Sequence, residues 1–343
     1  MKRFLNTLFV TTQKIYLHKE GESLVARLNR EIKMRMPLIN IQGIMCFGNI
    51  YVSPFLIGAC AEKGIVITFL TEWGKFLWRA QGRVNGNVLL RKEQYRISDD
   101  EKRSVEMAKA CIAGKIYNSR VVIDRAIRDH GEKINKAGVE QASARLKKAL
   151  SDLKAAQTLE TIRGIEGQCA ALYFGVFNEM ILSQKEEFVL YDRNRRPPVD
   201  KVNAMLSLVY TLLYHDVASA LESVGLDSYV GFLHRDRPGR CSLALDLMEE
   251  FRPFFADRLV LSLINRKEIT ARDFREEGSG AIFLNNDGRK TLLVVYQERK
   301  KDVIKHPYLE EEMPIGTLFY VQALLLARYI RGDIDGYPPY FWR

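Results

Sequence analysis

Residues Tyr229–Phe255 read YVGFLHRDRPGRCSLALDLMEEFRPFF. An apolar run, Tyr229 to Leu233, leads to a lone histidine, His234. A basic loop with turn residues follows: Arg235, Asp236, Arg237, Pro238, Gly239 and Arg240. Ser242 is the expected N-cap of a helix, because a serine hydroxyl accepts from the free amides of a first turn. At about 100° per residue, Leu243, Ala244, Leu247, Met248, Phe251, Phe254 and Phe255 share one broad face. Asp246 and Glu249, three residues apart, share the opposite side, and Glu250 sits at the margin. Carboxylate with imidazole can hold a hard or borderline divalent cation. Arginines such as Arg235, Arg237 and Arg240 beside it suit phosphate oxygens. The stretch points to metal-assisted chemistry on a phosphodiester. Its other reading is a capped amphipathic helix with a solvated acidic face.

A metal site needs a further ligand, and the run Thr161–Phe177, TIRGIEGQCAALYFGVF, offers one. Glu166 is its only acid and stands among Ile162, Ile165, Cys169, Ala170 and Phe174. A glutamate there is expensive to bury as a free anion unless a cation compensates. Gly164 and Gly167 flank it. Glycine inside a helix costs about 1 kcal/mol relative to alanine, so two in one turn suggest close approach of another element or of a substrate backbone. The alternative is a half-exposed glutamate at a helix edge. Glu166, His234 and Glu249, with Asp246 adjacent, make a mixed oxygen and nitrogen set. No thiolate belongs to it, so Mg²⁺ or Mn²⁺ fits better than structural zinc.

Between these two segments lies Tyr191–Pro198, YDRNRRPP. Arg193, Arg195 and Arg196 make a basic loop, read as contacting DNA backbone or as simply solvated. Asn203 follows, either orienting substrate or serving as an ordinary helix residue. Arg299, Lys300, Lys301 and Lys305 close a later helix, where cations suit the dipole as well as phosphate. His215 and Asp216 read as a surface or core pair. His18, His130 and His306 read as structural or exposed. No Walker A, GxSxG, HExxH or Rossmann fingerprint occurs.

The chain of 343 residues carries a formal charge of +10, which favours an acidic partner such as nucleic acid. The excess is uneven: residues 1–97 hold 15 Lys and Arg against six Glu and no Asp. Five scattered cysteines without a CxxC read as reduced, intracellular core residues. The start is not a convincing signal peptide. Apolar segments near Ala204–Tyr214 and Tyr320–Ile330 fall short of the roughly 18–20 residues of a membrane span. A soluble, cytoplasmic protein with no membrane partner is expected.

Working outward, residues 1–84 read as a small antiparallel, sandwich-like β domain. The expected strands lie at Leu5–Val10, Lys14–His18, Ser23–Arg27, Glu31–Met34, Leu38–Cys46, Ile65–Leu70 and Phe76–Gln81, with a short helix at Pro54–Glu62. A linker helix spans 85–98. Residues 99–343 read as an α-helical catalytic domain, so the class is α+β. Its expected helices are Glu101–His130, Val139–Gln157, Thr158–Leu182, Val199–Val224, Ser242–Asn265, Lys290–Ile304 and Ile315–Arg331. Phe283 and Leu284 read as an extended piece before a turn at Asn286–Gly288. The aromatic tail Gly336–Arg343 either docks or stays mobile.

These residues resemble a known family. GIEGQCAALYF, RRPPVDKVNAMLSLVY and GLDSYVGFLHRDRPGRCSLALDLMEEFRP are similar to segments of the universal spacer-acquisition integrase/endonuclease of CRISPR systems. GNIYVSPFLIGACAEKGIVITFLTEWGKF and LLRKEQY match its style, and the overall type resembles the form found with the I-C subtype. The resemblance implies metal ligands at Glu166, His234 and Glu249, the last often aspartate in relatives, with Asp246 at a further acidic position of the site. It implies a homodimer through the β domains, and a heterohexamer in which two dimers flank a dimer of a small ferredoxin-like partner. It implies a hydrolase that inserts short duplex DNA into a repeat array by attack of a 3′-hydroxyl. Two other functions stay open: a structure-specific nuclease for branched repair intermediates, and a non-catalytic DNA-binding scaffold.

Overall fold

Among the described residues up to Ala80, short runs of apolar and β-branched residues build eight strands and one α-helix. They are β1 (Thr7–Val10), β2 (Tyr16–Glu20), β3 (Ser23–Leu28), β4 (Glu31–Pro37), β5 (Gly43–Phe47), β6 (Tyr51–Val52), α1 (Pro54–Glu62), β7 (Val66–Leu70) and β8 (Phe76–Ala80). The structure, a computed structural model, describes residues 6–80, 82, 88–194, 197–278 and 280–343. Leu5, Gln81 and the expected boundary at 84 and 85 lie outside the described residues.

Two four-stranded sheets form, ordered β1-β5-β7-β8 and β4-β3-β2-β6. Both are mixed rather than antiparallel: β5 runs parallel to β1 and to β7, and β6 parallel to β2. The connections explain the difference. Parallel neighbours need a crossover, and α1 supplies one between β5 and β7. Its start is set by Ser53, whose hydroxyl accepts from Leu56 N at 3.2 Å. The period of two along β5 then decides what meets what. Ile44 and Cys46 face Leu17, Leu24 and Ala26 of the other sheet. Met45 and Phe47 turn to the helical core.

The rest is mainly helical: α2 (Val88–Asp99), α3 (Glu101–His130), α4 (Lys136–Ala155), α5 (Leu159–Gly175), α6 (Lys201–Ser223), α7 (Ser242–Met248), α8 (Arg258–Asn265), α9 (Asn286–Arg299) and α10 (Ile315–Arg331). Two small hairpins join them. β9 (Phe274–Glu276) pairs with β10 (Ile282–Leu284), and β11 (Val303–Lys305) pairs with β12 (Glu312–Pro314). α6 is long and apolar enough to cross a membrane by composition, but most of it is buried as the central core helix. The five cysteines are free and buried.

Five local expectations are corrected. The helix expected over Ser242–Asn265 is broken after Met248, and Arg252–Asp257 is a π-helical segment before α8. Pro253 lacks the N–H a continuous helix would use. Ser242 is the first helical residue rather than the cap, and its hydroxyl donates to the Arg235 carbonyl at 3.2 Å. The helix expected to reach Leu182 stops at Gly175, ahead of a separate 3₁₀ turn. The expected turn at Asn286–Gly288 is the start of α9, capped by Asn285, while Ile304 lies in β11.

The aromatic tail docks. Trp342 N donates to Asn118 Oδ1 at 2.8 Å, and Asn118 Nδ2 donates to Tyr340 O at 2.9 Å.

Candidate active site

In the middle of α3 the buried stripe Cys111, Ile112, Ile116 and Ser119 includes Lys115. Its ammonium donates to Glu166 Oε1 on α5 and lies 2.7 Å from Glu249 Oε2 at the end of α7. Arg252, three residues further on, places Nη1 2.6 Å from Glu249 Oε1. The Glu249 side chain is 3% exposed. Burial alone would raise its carboxyl pKa, yet Arg252, Lys115 and His234 outweigh that and hold it near about 2. Burial likewise works against the charge on Lys115, and Glu249 with Glu166 overcomes it, so the ammonium pKa is raised. Glu249 therefore stays ionised between two cations, Lys115 and Arg252.

His234 is oriented by an acid that sequence alone reads as a possible ligand. Asp246 accepts from the backbone amides of Phe232, Leu233 and His234 at 2.6, 3.0 and 3.1 Å. Its Oδ1 also meets His234 Nδ1 at 2.6 Å. Asp246 is thereby fully used in shaping the loop, and His234 keeps Nε2 free for the site. Gly231 permits the arrangement, since a Cβ there would meet Asp246 Oδ2 and Ser242 at 2.8 Å. Arg163, one turn before Glu166, donates from Nε and Nη2 to Leu233 O at 3.0 and 2.7 Å, tying α5 to the histidine loop.

Asp246, Glu249 and Glu250 are all buried, so the solvated acidic face is not observed. Glu250 points away from Glu249. It accepts from Tyr337 Oη at 2.6 Å, Tyr340 N at 2.8 Å and Gln322 Nε2 at 2.9 Å. Burial raises its carboxyl pKa to about 8 against those bonds.

A cavity of about 360 Å³ opens beside the Lys115 bridge, lined by Lys115, Glu166, Arg193, Tyr210, Arg252 and Asp257 among others. Tyr210 donates to Asp257 Oδ1 at 2.6 Å, and burial raises the Asp257 carboxyl to about 6. Arg193 is drawn in rather than left solvated. It donates to Asn203 Oδ1 and stands 5.1 Å over the Tyr210 ring. Asn203 also donates to Asp192 O at 2.7 Å, so it shapes this loop. Arg195 and Arg196 lie outside the described residues.

Arg235 and Arg237 are exposed and Arg240 half-exposed; Arg235 pairs with Glu160 at 3.2 Å. No element crowds Gly164 or Gly167: a Cβ on either would meet nothing within 4 Å. Lys300 turns inward, 2.9 Å from Asp216, and is fully buried, so it is not free for phosphate. His215 is buried beneath Phe76 with ring centroids 5.3 Å apart.

Lys115, Arg252 and Arg163 were missed in the sequence. Arg252 had a signal, its spacing of three from Glu249. Lys115 had only its place in an apolar stripe. Among the described residues no three His, Cys, Asp or Glu side chains stand together closely enough to hold an ion. The Lys115 ammonium takes the space between Glu166 and Glu249. Among the described residues that ammonium is the partner of Glu249 Oε2, 2.7 Å away. Two carboxylates and one imidazole nitrogen are donors that suit Mg²⁺ or Mn²⁺.

The pocket sets fixed cations, Lys115 and Arg252, beside fixed anions, Glu166 and Glu249. On a basic sheet region joined to a helical domain it defines a class, an enzyme acting on phosphodiesters. A family model described as "CRISPR associated protein Cas1" matches residues 8–298. Within that class the chain belongs to the Cas1 family of CRISPR-associated endonucleases. It is 52% identical to CRISPR-associated endonuclease Cas1 1 of Chlorobaculum tepidum and 50% identical to Cas1 2 of Rhodospirillum rubrum, over the whole of each chain. A Cas1 protein from Thermotoga maritima shares the fold with TM-score 0.81 at 21% identity, covering 95% of this chain and 97% of that one. A casposase bound to integration product does so with TM-score 0.85 at 24% identity, covering 98% and 94%.

Proposed function

We propose that this protein is the metal-dependent integrase and endonuclease of CRISPR adaptation, of the form associated with the I-C subtype. The observation that carries the reading is the Lys115-bridged pair Glu166 and Glu249 beside an imidazole oriented by Asp246. Glu166, His234 through Nε2, and Glu249 would hold Mg²⁺ or Mn²⁺. When bound, such an ion supplies electrostatic stabilisation of charge on the phosphate.

The 3′-hydroxyl of an incoming duplex attacks a phosphodiester of the repeat in line. A new bond from phosphorus to the incoming 3′-oxygen forms as the bond to the repeat 3′-oxygen breaks. The attacking hydroxyl loses its proton and the departing oxygen takes one up. Arg252, paired with Glu249 Oε1, keeps positive charge beside the reacting phosphate. Asp246 holds the His234 ring so that Nε2 faces the site. Arg235, Arg237 and Arg240, exposed or half-exposed on the histidine loop, meet neighbouring phosphates. Water in place of the hydroxyl gives nuclease cleavage at the same site.

The assembly belongs to the same proposal: a cytoplasmic homodimer that joins a small ferredoxin-like partner in a heterohexamer on double-stranded DNA. A Cas6-RT-Cas1–Cas2 complex among the fold relatives, with TM-score 0.80 at 21% identity, covers 98% of this chain and 36% of its own.

A strand-transfer assay tests the reading. A duplex with free 3′-hydroxyls is mixed with supercoiled plasmid carrying the repeat, in Mg²⁺ or Mn²⁺, with and without the small partner. Joined product that Glu166→Ala abolishes is expected. Cleavage without joining favours a structure-specific nuclease, and DNA binding with no product at any metal concentration favours a scaffold.

A further inference from the structure

A second cavity, of about 720 Å³, lies away from the Lys115 bridge, and its walls are cationic. Arg125 from α3, Arg258 at the start of α8, Arg299 at the end of α9 and Lys305 of β11 all line it. Arg125 is ten residues from Lys115 along α3, about 15 Å at 1.5 Å per residue, so this is a separate site.

The cations are held in place and under-compensated. The guanidinium carbons of Arg125 and Arg258 stand 3.9 and 4.4 Å from the Trp342 ring. That stacking fixes their planes while leaving their N–H edges available. Arg125 spends one N–H on the main-chain oxygen of Arg343 at 3.2 Å. The side chains of Arg258 and Lys305 make no hydrogen bond or ion pair among the described residues. Arg299 pairs with Asp302 at 2.7 Å, but its Nε is buried without a partner. Of the two acidic side chains in the wall, Asp302 is thus already engaged, which leaves Glu310. Burial, then Arg299 and Arg125, lower the Arg258 pKa to about 10. A half-buried guanidinium facing two others is costly to desolvate unless an anion joins them.

We infer that this cavity is a binding site for a phosphate oxyanion, held by Arg125, Arg258, Arg299 and Lys305. Several convergent guanidinium edges match a tetrahedral group with three acceptor oxygens better than a carboxylate, which one arginine satisfies. The cavity is larger than a phosphate, so it admits one carried on a bigger molecule. A nucleic-acid backbone and a free phosphate or pyrophosphate share this chemistry. The site does not depend on the reaction proposed at Glu166.

The full-length protein, Arg258→Gln and Lys305→Gln are compared. Lys305 is exposed, so its variant tests the site without risk to folding. Pyrophosphate binding is read by calorimetry. Duplex binding is read by anisotropy over a salt series, with and without a 5′-phosphate. Pyrophosphate affinity is expected to fall at least about tenfold in each variant, the loss of one charged contact. A duplex ligand adds a salt slope shallower by about 1 per cation removed. Loss confined to 5′-phosphorylated duplex assigns the site to a strand end. Loss for pyrophosphate with duplex binding unchanged assigns it to a free phosphate. Both variants binding both probes with wild-type affinity and slope overturns the inference.

Discussion

Lys115 Nζ lies between the carboxylates of Glu166 and Glu249, 2.7 Å from Oε2 of the latter, so one ammonium neutralises two acids brought from different helices. The same space is where a divalent cation held by those acids would sit. Cation and ammonium therefore compete.

Lys115→Met is expected to lower stability by about 1–3 kcal/mol in chelator, because Glu249 Oε2 loses its buried partner while Arg252 still pairs with Oε1. Saturating Mn²⁺ should then raise the melting temperature more in the variant than in the parent. Equal shifts in thermal melts would show that ammonium and ion do not share the space.

Asp246→Asn should leave the fold in place but release the His234 ring, since an amide cannot accept at both positions as the carboxylate does. A loss of about 10–100-fold in Mn²⁺ affinity is expected, read by calorimetry alongside an unchanged circular dichroism spectrum. Unchanged affinity would reduce Asp246 to a loop brace.

Glu249 and Glu250 are neighbours with opposite fates. Glu249→Gln should cut strand transfer by at least about 100-fold. Glu250→Gln mimics a carboxyl that is mainly protonated near neutrality, given its pKa of about 8. Its stability at pH 7 should stay within about 1 kcal/mol of the parent, with strand transfer retained. Equal loss in both variants would sink this division of roles.

His215 is buried against Phe76 with neither ring nitrogen hydrogen-bonded, and burial, then Arg79, lower its pKa to about 3. Its folded value lies below the unfolded one, about 6.5. Its stability is therefore fully present above pH 6.5 and is lost as pH falls towards 3. His215→Phe should match the parent at pH 7.5 and exceed it by about 2 kcal/mol at pH 5. Denaturant curves at the two pH values decide this; a difference independent of pH would refute it.

The long helices were legible because a period of 3.6 is written locally: Glu101–His130 and Ile315–Arg331 stand where the pattern places them. The helix beginning at Ser242 was legible only to Met248, since the break turns on how Pro253 is accommodated. The antiparallel expectation failed because strand order depends on which strand α1 returns to, a non-local matter. In the site, Glu166, His234 and Glu249 stood out as chemistry-bearing types in apolar settings. Which way each carboxylate points was not legible: Asp246, Glu249 and Glu250 span five residues and face three different sets of partners.

By itself, the sequence determined the α+β class, most helices, the basic bias and the residue types able to meet a phosphodiester. These follow from side-chain chemistry and short-range periodicity. Only the tertiary structure decided that Lys115 bridges Glu166 and Glu249, that Asp246 serves His234, and that Glu250 anchors the tail. Those roles join residues from 12 to 134 positions apart in the chain, and each buried charge must find its partner across the fold.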